Sequence, residues 1–297
     1  MRMRFRFGVI GIVALVLASL LSGCTPPASY VALGDSFTSG PLILPQDRRI
    51  PGCLRSDVNY PHLIAPDVRQ PAFRDVSCSG AQTKNMTAVQ DVDPDPDNPP
   101  QLSGLDSNTR IVTLGIGGND IGFTDIAKTC VRLGLGDPNG SPCRTFYNSG
   151  GSDQIAARIA ALEPKLRAVL DEIDRRSPKA KVFVVGYPAI LPESTVLFDL
   201  CRPLLPVAKG DVAYLRDDVQ KRLNSAIRSV AVAHGEAFVD TYTPSIGHDA
   251  CQPPTVRWVE PLVPAADAAP AHPNRLGMQG VAQAVRATMR AHGVAVG

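Results

Sequence analysis

The sequence predicts an α/β fold in which a parallel β-sheet lies between helices on both of its faces. Three observations support this fold: short apolar runs alternate with long amphipathic segments, the strongest runs end at glycines, and the composition is uniform after residue 30. Strands that are buried on both faces are near-continuous apolar runs of this kind. With 44% hydrophobic and 20% charged residues in 297, the chain has an ordinary globular composition. We expect one domain over residues 30–297.

The strand candidates are short and rich in aliphatic residues. The strongest candidates are residues 30–34 (YVALG), 110–116 (RIVTLGI) and 181–186 (KVFVVG). A fourth run of the same type covers residues 237–242 (AFVDTY). Residues 74–78 are a weaker candidate. Because sites in parallel sheets lie beyond the carboxyl ends of the strands, the residues that follow these runs are the ones to examine for chemistry.

Three longer segments predict helices between and after these strands. Residues 153–176 carry apolar side chains at a spacing close to 3.6, with Ser152 and Asp153 available as caps and Ser177-Pro178 at the end. Residues 211–234 and 275–292 predict two further long helices.

The N-terminus predicts an export signal of the lipoprotein type. Three arginines precede the apolar residues 8–21, and this apolar segment is shorter than a typical transmembrane helix. The segment ends in Leu-Ser-Gly-Cys24, which resembles the bacterial lipobox, whose cysteine is diacylated. We therefore predict a signal peptide over residues 1–23, a lipid on Cys24 and a short tether over residues 24–29. A plain secretory signal with an incidental cysteine is the alternative. The protein would be anchored on the outer face of the cell membrane, or secreted.

Charge and cysteine content agree with export. Without the three leader arginines, the formal net charge changes from +2 to −1, and no basic run alternates with aromatics, so nucleic acid is not an expected partner. An even set of six further cysteines in an exported chain implies disulfides, and their spacing does not predict a metal site. Of 15 possible connectivities, neighbour pairing is the simplest: Cys53–Cys78, Cys130–Cys143, Cys201–Cys251.

Four residues near the predicted strand ends and the C-terminus could carry acyl transfer. Ser36 follows the first strand in Gly34-Asp35-Ser36, where a helix N-cap is the local alternative. Gly80 follows the second strand, Asn119 follows the third, and His272 lies near the C-terminus. Together they would supply a nucleophile, oxyanion donors and a base.

In this order, the four residues resemble the SGNH hydrolases, also called GDSL lipases or esterases. The resemblance spans residues 30–292 and implies a flavodoxin-like three-layer α/β/α sandwich with a five-stranded parallel sheet and no metal or organic cofactor. It also implies that His272 takes a proton from Ser36, while the N–H groups of Ser36 and Gly80 and the amide of Asn119 hold the oxyanion. The paired cysteines further resemble secreted actinobacterial members.

One position departs from the family pattern. Members commonly carry an aspartate three residues before the histidine, and this chain has Ala269 there. We expect the main-chain carbonyl of Ala269 to accept the imidazole N–H of His272. Asp267 is the alternative acceptor, and an inactive enzyme is the third possibility.

The expected function is hydrolysis of small-molecule or lipid esters by a monomeric exported enzyme. The alternatives are a carbohydrate acetylesterase or acyltransferase that acts on cell-wall sugars, and a non-catalytic surface lipoprotein with the same fold.

Overall fold

In the computed structural model, the described residues 29–68, 70–263 and 266–297 fold around a five-stranded parallel sheet. The strand order is β2-β1-β3-β4-β5, and every neighbouring pair is parallel. The strands are β1 (Tyr30–Gly34), β2 (Phe73–Asp75), β3 (Ile111–Gly115), β4 (Lys181–Val185) and β5 (Ala237–Val239). The predicted signal peptide, Cys24 and the tether as far as residue 28 lie outside the described residues.

Helices cover both faces of the sheet, which confirms the predicted three-layer α/β class. They are α1 (Ser36–Ser39), α2 (Tyr60–Ile64), α3 (Phe123–Gly136), α4 (Pro142–Tyr147), α5 (Gln154–Arg176), α6 (Phe198–Cys201), α7 (Asp211–Ala213), α8 (Arg222–His234) and α9 (Arg275–Ala291). The segment Tyr214–Lys221, between α7 and α8, is π-helical. A single helix over residues 211–234 was predicted, so this change of helix type is a difference from the sequence-based expectation.

Alternate strand residues divide the core into two halves. Leu33, Leu114 and Val184 pack on one face against α3, α5 and α8. Tyr30 and Phe183 pack on the other face against α2 and α9. Successive side chains of a strand point to opposite faces, so near-continuous apolar strands are what a sheet covered on both sides requires.

Two strands end earlier than the apolar pattern predicts, and an aspartate ends each of them. After β2, the Asp75 carboxylate accepts the Ser77 N–H at 2.9 Å and its hydroxyl at 2.6 Å. After β5, the Asp240 carboxylate accepts the Tyr242 N–H at 2.9 Å. The Asp240 carboxylate thus holds the main chain in a turn after β5. The residues after Asp75 still bond β1, because the N–H groups of Val76 and Cys78 donate to the carbonyls of Ala32 and Gly34 at 3.0 Å.

Three disulfides link the described chain, and they confirm the predicted neighbour pairing. The bonds are Cys53–Cys78, Cys130–Cys143 and Cys201–Cys251. Among the described residues, no helix has both the length and the apolar character needed to cross a membrane.

Candidate active site

Ser36 lies where the sheet topology opens a crevice. Strand β1 lies between β2 and β3, so the chain leaves β1 on one side and returns on the other, and ligands bind beyond the carboxyl ends at such a point. Gly34 makes the exit possible: its φ is +155°, and a Cβ there would lie 2.6 Å from the Gly115 carbonyl oxygen. Asp35 caps helix α1 by accepting the Phe37 N–H at 2.9 Å. The cap is therefore Asp35, and the Ser36 hydroxyl is not used for it.

The structure brings Ser36 and His272 together across almost the whole chain. The Ser36 Oγ and His272 Nε2 atoms are 2.7 Å apart, which is hydrogen-bond distance for a nucleophile and its base. Burial lowers the pKa of the His272 imidazole, and the bond to Pro270 opposes this shift. The imidazole is therefore held in the neutral form that can accept a proton from serine.

The loop that carries His272 is fixed on both sides of the ring. Asn274 caps α9 by accepting the Gly277 N–H at 3.0 Å. The carbonyl of His272 accepts the Glu260 N–H at 2.9 Å, and the Glu260 carbonyl accepts the Ala271 N–H at 3.1 Å. A capped helix and a short antiparallel pairing thus position the histidine.

The acceptor for the second imidazole nitrogen is Pro270, and the prediction of Ala269 is wrong by one residue. Nδ1 of His272 lies 2.8 Å from the Pro270 carbonyl oxygen. The Ala269 carbonyl is already used, because it accepts the main-chain N–H of His272 at 3.1 Å and closes a β-turn. The turn has proline at its second position, and Ala271 at its third position has a positive φ of +59°. This combination is typical of a type II turn. Asp267 is exposed, and within the described residues it makes no bond to the ring.

Asn119 lies after β3 on the wall of the same crevice. Its Nδ2 atom donates to the Ala81 carbonyl at 2.9 Å, which fixes the orientation of the amide and leaves the second N–H of that nitrogen available. Gly80 precedes Ala81 in a turn with φ +78°. Within the part of the chain described, the main-chain N–H groups of Ser36 and Gly80 donate to no protein acceptor. Gly80 lines a separate, smaller depression and does not line the main cavity.

A buried chain of hydrogen bonds connects the Ser36 turn to the Asn119 turn. The Tyr187 hydroxyl donates to Asp35 Oδ2 at 2.6 Å and accepts the Gly118 N–H at 2.7 Å. Burial raises the pKa of the Asp35 carboxyl to about 7, and the bonds from Tyr187 and Phe37 oppose this shift only in part. Sequence reasoning missed Tyr187, which lies just after β4, where a site residue is expected.

Gln101 is a second residue that sequence reasoning missed. Its side-chain amide bonds both main-chain groups of Gly34, with Oε1 2.8 Å from the N–H nitrogen and Nε2 2.9 Å from the carbonyl oxygen. It thereby stabilises the end of β1 together with Cys78, whose N–H donates to the same Gly34 carbonyl at 3.0 Å. The sequence gives only a weak indication of this role, because Gln101 lies in a proline-rich loop.

An apolar cavity of about 590 Å³ opens beside Ser36 and His272. Ten apolar side chains from six parts of the fold contribute to its wall: Phe37, Phe123, Ala127, Val131, Leu135, Ile190, Pro206, Leu223, Leu262 and Val263. Trp258 is not among the lining residues; it stacks on His248 and packs against α9. The cavity is large and apolar enough to receive a hydrocarbon chain.

A group of side chains at the opposite edge of the sheet has the composition of a cation site. Asp174, His234 and Glu236 each offer one ligand atom, and these atoms lie within 4.8 Å of one another. Glu236 directly precedes β5, so this group lies at the amino ends of the strands, away from Ser36. It has no part in the chemistry of the crevice.

A parallel sheet between helical layers, with a serine and a histidine paired at its carboxyl edge, is the arrangement of an ester hydrolase with a three-layer α/β/α architecture. The chain belongs to the GDSL-like lipase/acylhydrolase family, whose model matches residues 32–279. It is a carboxylic ester hydrolase.

The relatives found by sequence are lipases and esterases. Lipase 2 of Streptomyces coelicolor is 41% identical over 261 residues, which cover 87% of this chain and 85% of that protein. An esterase of Streptomyces scabiei is 30% identical over 258 residues, covering 77% of this chain and 75% of that protein.

Two solved structures share the fold along nearly their whole length. A phospholipase A1 from Streptomyces albidoflavus NA297 has a TM-score of 0.68 at 27% identity and covers 88% of this chain and 99% of its own. An extracellular lipase from Streptomyces rimosus has a TM-score of 0.65 at 28% identity, with the same coverage of both chains.

Proposed function

We propose that the protein hydrolyses acyl esters through an acyl-enzyme on Ser36, with His272 as general base. The main support for this proposal is the 2.7 Å distance from Ser36 Oγ to His272 Nε2 at the edge of the apolar cavity. As Oγ attacks the ester carbonyl, its proton passes to Nε2, which then protonates the leaving alcohol. Water activated by the same imidazole cleaves the acyl-enzyme and releases the carboxylic acid.

The developing oxyanion is bound by the N–H groups of Ser36 and Gly80 and by Nδ2 of Asn119. The support is that both N–H groups are unused within the described chain, and that the bond to Ala81 orients the Asn119 amide. Such donors act most strongly where water is excluded, as beside an apolar cavity. The Pro270 carbonyl holds the imidazole in the tautomer that leaves Nε2 free to accept.

The cavity supports acyl chains longer than acetyl, and so favours a lipase or esterase over a carbohydrate acetylesterase or acyltransferase. Its lining is almost entirely apolar, whereas an acetyl group would leave most of the 590 Å³ unfilled. A series of p-nitrophenyl esters from acetate to palmitate tests this: kcat/KM is expected to rise beyond acetate. A maximum of kcat/KM at acetate, or transfer of acetyl groups to added sugars, would favour a carbohydrate acetylesterase or acyltransferase.

We further propose export of the protein, with a lipid on Cys24 holding it to the outer face of the membrane. The support is the lipobox-like end of the leader, the three disulfides and the similarity to an extracellular lipase. Mass spectrometry of the purified N-terminal peptide tests the lipid. A peptide that begins at another residue without an acyl group would contradict it.

The serine assignment has a matched control three residues away in the same helix. Ser36→Ala is expected to abolish hydrolysis of p-nitrophenyl butyrate and labelling by a fluorophosphonate probe. Ser39 is also buried, but its Oγ has no hydrogen-bond partner in the described chain. Ser39→Ala should therefore still hydrolyse the ester and still be labelled by the probe. Full activity in Ser36→Ala would refute the proposal, and an unlabelled wild-type protein would favour a non-catalytic lipoprotein.

A further inference from the structure

Exposed apolar side chains lie on segments at and near the cavity. The four most exposed large apolar residues of the described chain are Val196, Leu200, Leu135 and Leu197, at 80%, 77%, 72% and 70%. With Val263, they form what we call the apolar rim. Leu135 and Val263 line the cavity itself, so the rim continues its wall outward.

Hydrogen bonds hold the three segments of the apolar rim side by side. The Leu204 carbonyl accepts the N–H groups of Leu262 and Val263 at 3.1 and 3.2 Å, which ties the α6 segment to Val263. Arg202 Nη2 donates to Asn139 Oδ1 at 3.0 Å, which ties the same segment to the loop after α3. The three segments that carry the apolar rim therefore lie next to one another.

Two cations flank this surface. Lys128 and Arg132 are four residues apart on α3, and both are exposed and line the cavity. Among the described residues, neither forms an ion pair. The nearby Arg202 and Lys209, in contrast, are both paired with Asp199. An apolar surface bordered by free cations is the composition that binds an anionic lipid interface.

We propose that the apolar rim, with Lys128 and Arg132, docks the enzyme on an anionic phospholipid surface. The rim side chains enter the acyl region while the two cations pair with phosphates, so that one acyl chain can pass directly into the cavity. The proposal rests on the proposed function, because the Ser36 site is what the docked lipid reaches.

The test is sedimentation with phosphatidylglycerol or phosphatidylcholine vesicles. All proteins carry Ser36→Ala, so that vesicles are not hydrolysed, and Cys24→Ala, so that no acyl chain on Cys24 holds the protein. The double variant Leu197→Asp/Leu200→Asp should bind phosphatidylglycerol at least about tenfold more weakly, since two leucines lose their insertion. Lys128→Glu/Arg132→Glu should lose the preference for phosphatidylglycerol over phosphatidylcholine, about tenfold or more.

Matched controls lie at the opposite edge of the sheet. Val232→Asp removes an exposed apolar side chain near the end of α8, and Lys179→Glu reverses an exposed charge just before β4. Both should bind vesicles like the parent. Equal vesicle binding by the parent and the leucine double variant, or no lipid preference in the parent, would overturn the proposal.

Soluble ester hydrolysis separates this proposal from the proposed function. With Ser36 restored, Leu197→Asp/Leu200→Asp should hydrolyse p-nitrophenyl butyrate like the parent and lose activity on phosphatidylglycerol vesicles. Loss of vesicle activity alone supports docking. A parent without butyrate hydrolysis refutes the Ser36 site, whatever the vesicle binding.

Discussion

Nδ1 of His272 donates to the main-chain carbonyl of Pro270 at 2.8 Å, at the place where most serine hydrolases use a carboxylate. A carbonyl fixes the tautomer and the direction of the ring as a carboxylate does, but it brings no negative charge to stabilise the imidazolium. The type II turn from Ala269 to His272 sets this geometry, because it uses the Ala269 carbonyl internally and leaves the Pro270 carbonyl for the ring.

Asp267→Asn is therefore expected to change kcat on p-nitrophenyl butyrate less than twofold. Removing the aspartate of a complete triad, in contrast, costs about 10⁴ in kcat in a well-known protease. Asp267 is exposed and makes no bond to His272 within the described residues, so its charge should stabilise the imidazolium only weakly. A fall of tenfold or more would show that Asp267 moves to the ring during turnover.

The pH dependence of kcat/KM should report the pKa of the half-buried His272. Catalysis needs the neutral imidazole, and burial lowers its pKa below the ordinary 6.5. As the pH falls, activity is therefore expected to persist past 6.5 and to decline only at lower pH. Initial rates on p-nitrophenyl butyrate across about pH 4.5 to 8 measure this limb. A midpoint above 6.5 would contradict the lowered pKa of His272.

Asn119→Ala is expected to lower kcat by roughly 10²–10³, the usual cost of one oxyanion-hole donor. KM should change little, because the amide acts on the transition state more than on the bound ester. Asn119→Asp keeps the shape but removes the N–H donors, and it should fall by a similar factor. Equal kcat in wild type and Asn119→Asp would remove Asn119 from the oxyanion hole.

Asp35→Asn should flatten the pH dependence of stability. Burial raises the Asp35 pKa to about 7 from an ordinary 3.8. The stability linked to its protonated form is complete below about pH 4 and is lost as the pH rises through 7, by up to about 1.4 kcal/mol per pH unit. Urea unfolding at pH 5 and 8 gives the comparison, and Asp125→Asn, an exposed carboxylate on α3, is the control. Parallel pH curves for wild type and Asp35→Asn would contradict the buried-carboxyl argument.

The sequence was most informative where one local pattern determines the outcome. The apolar runs ending at Gly34 and Gly115 became strands β1 and β3, because parallel strands buried on both faces need nothing but apolar residues. The cap Asp153 begins α5 as predicted, and α9 begins at Arg275, where the predicted helix begins. The apolar pattern predicted a strand over residues 74–78, whereas β2 ends at Asp75, although the N–H groups of Val76 and Cys78 still donate to β1.

Long-range partners in the site could not be predicted in this way. Gln101 and Tyr187 act through polar atoms 67 and 152 positions away from their partners Gly34 and Asp35, and no spacing rule links such residues. The shift from Ala269 to Pro270 depends on the positive φ of Ala271, an angle that alanine seldom adopts. Turn geometry and tertiary contacts, more than residue type, decide these details.

The contact between Ser36 and His272 joins positions 236 residues apart in the chain. In the proposed mechanism, a polypeptide that ends before His272 holds the nucleophile but has no base with which to activate it. Hydrolytic activity therefore requires synthesis at least as far as His272. A growing protein of this design cannot attack the esters around it until the residues that carry and position His272 have been made and folded onto the sheet.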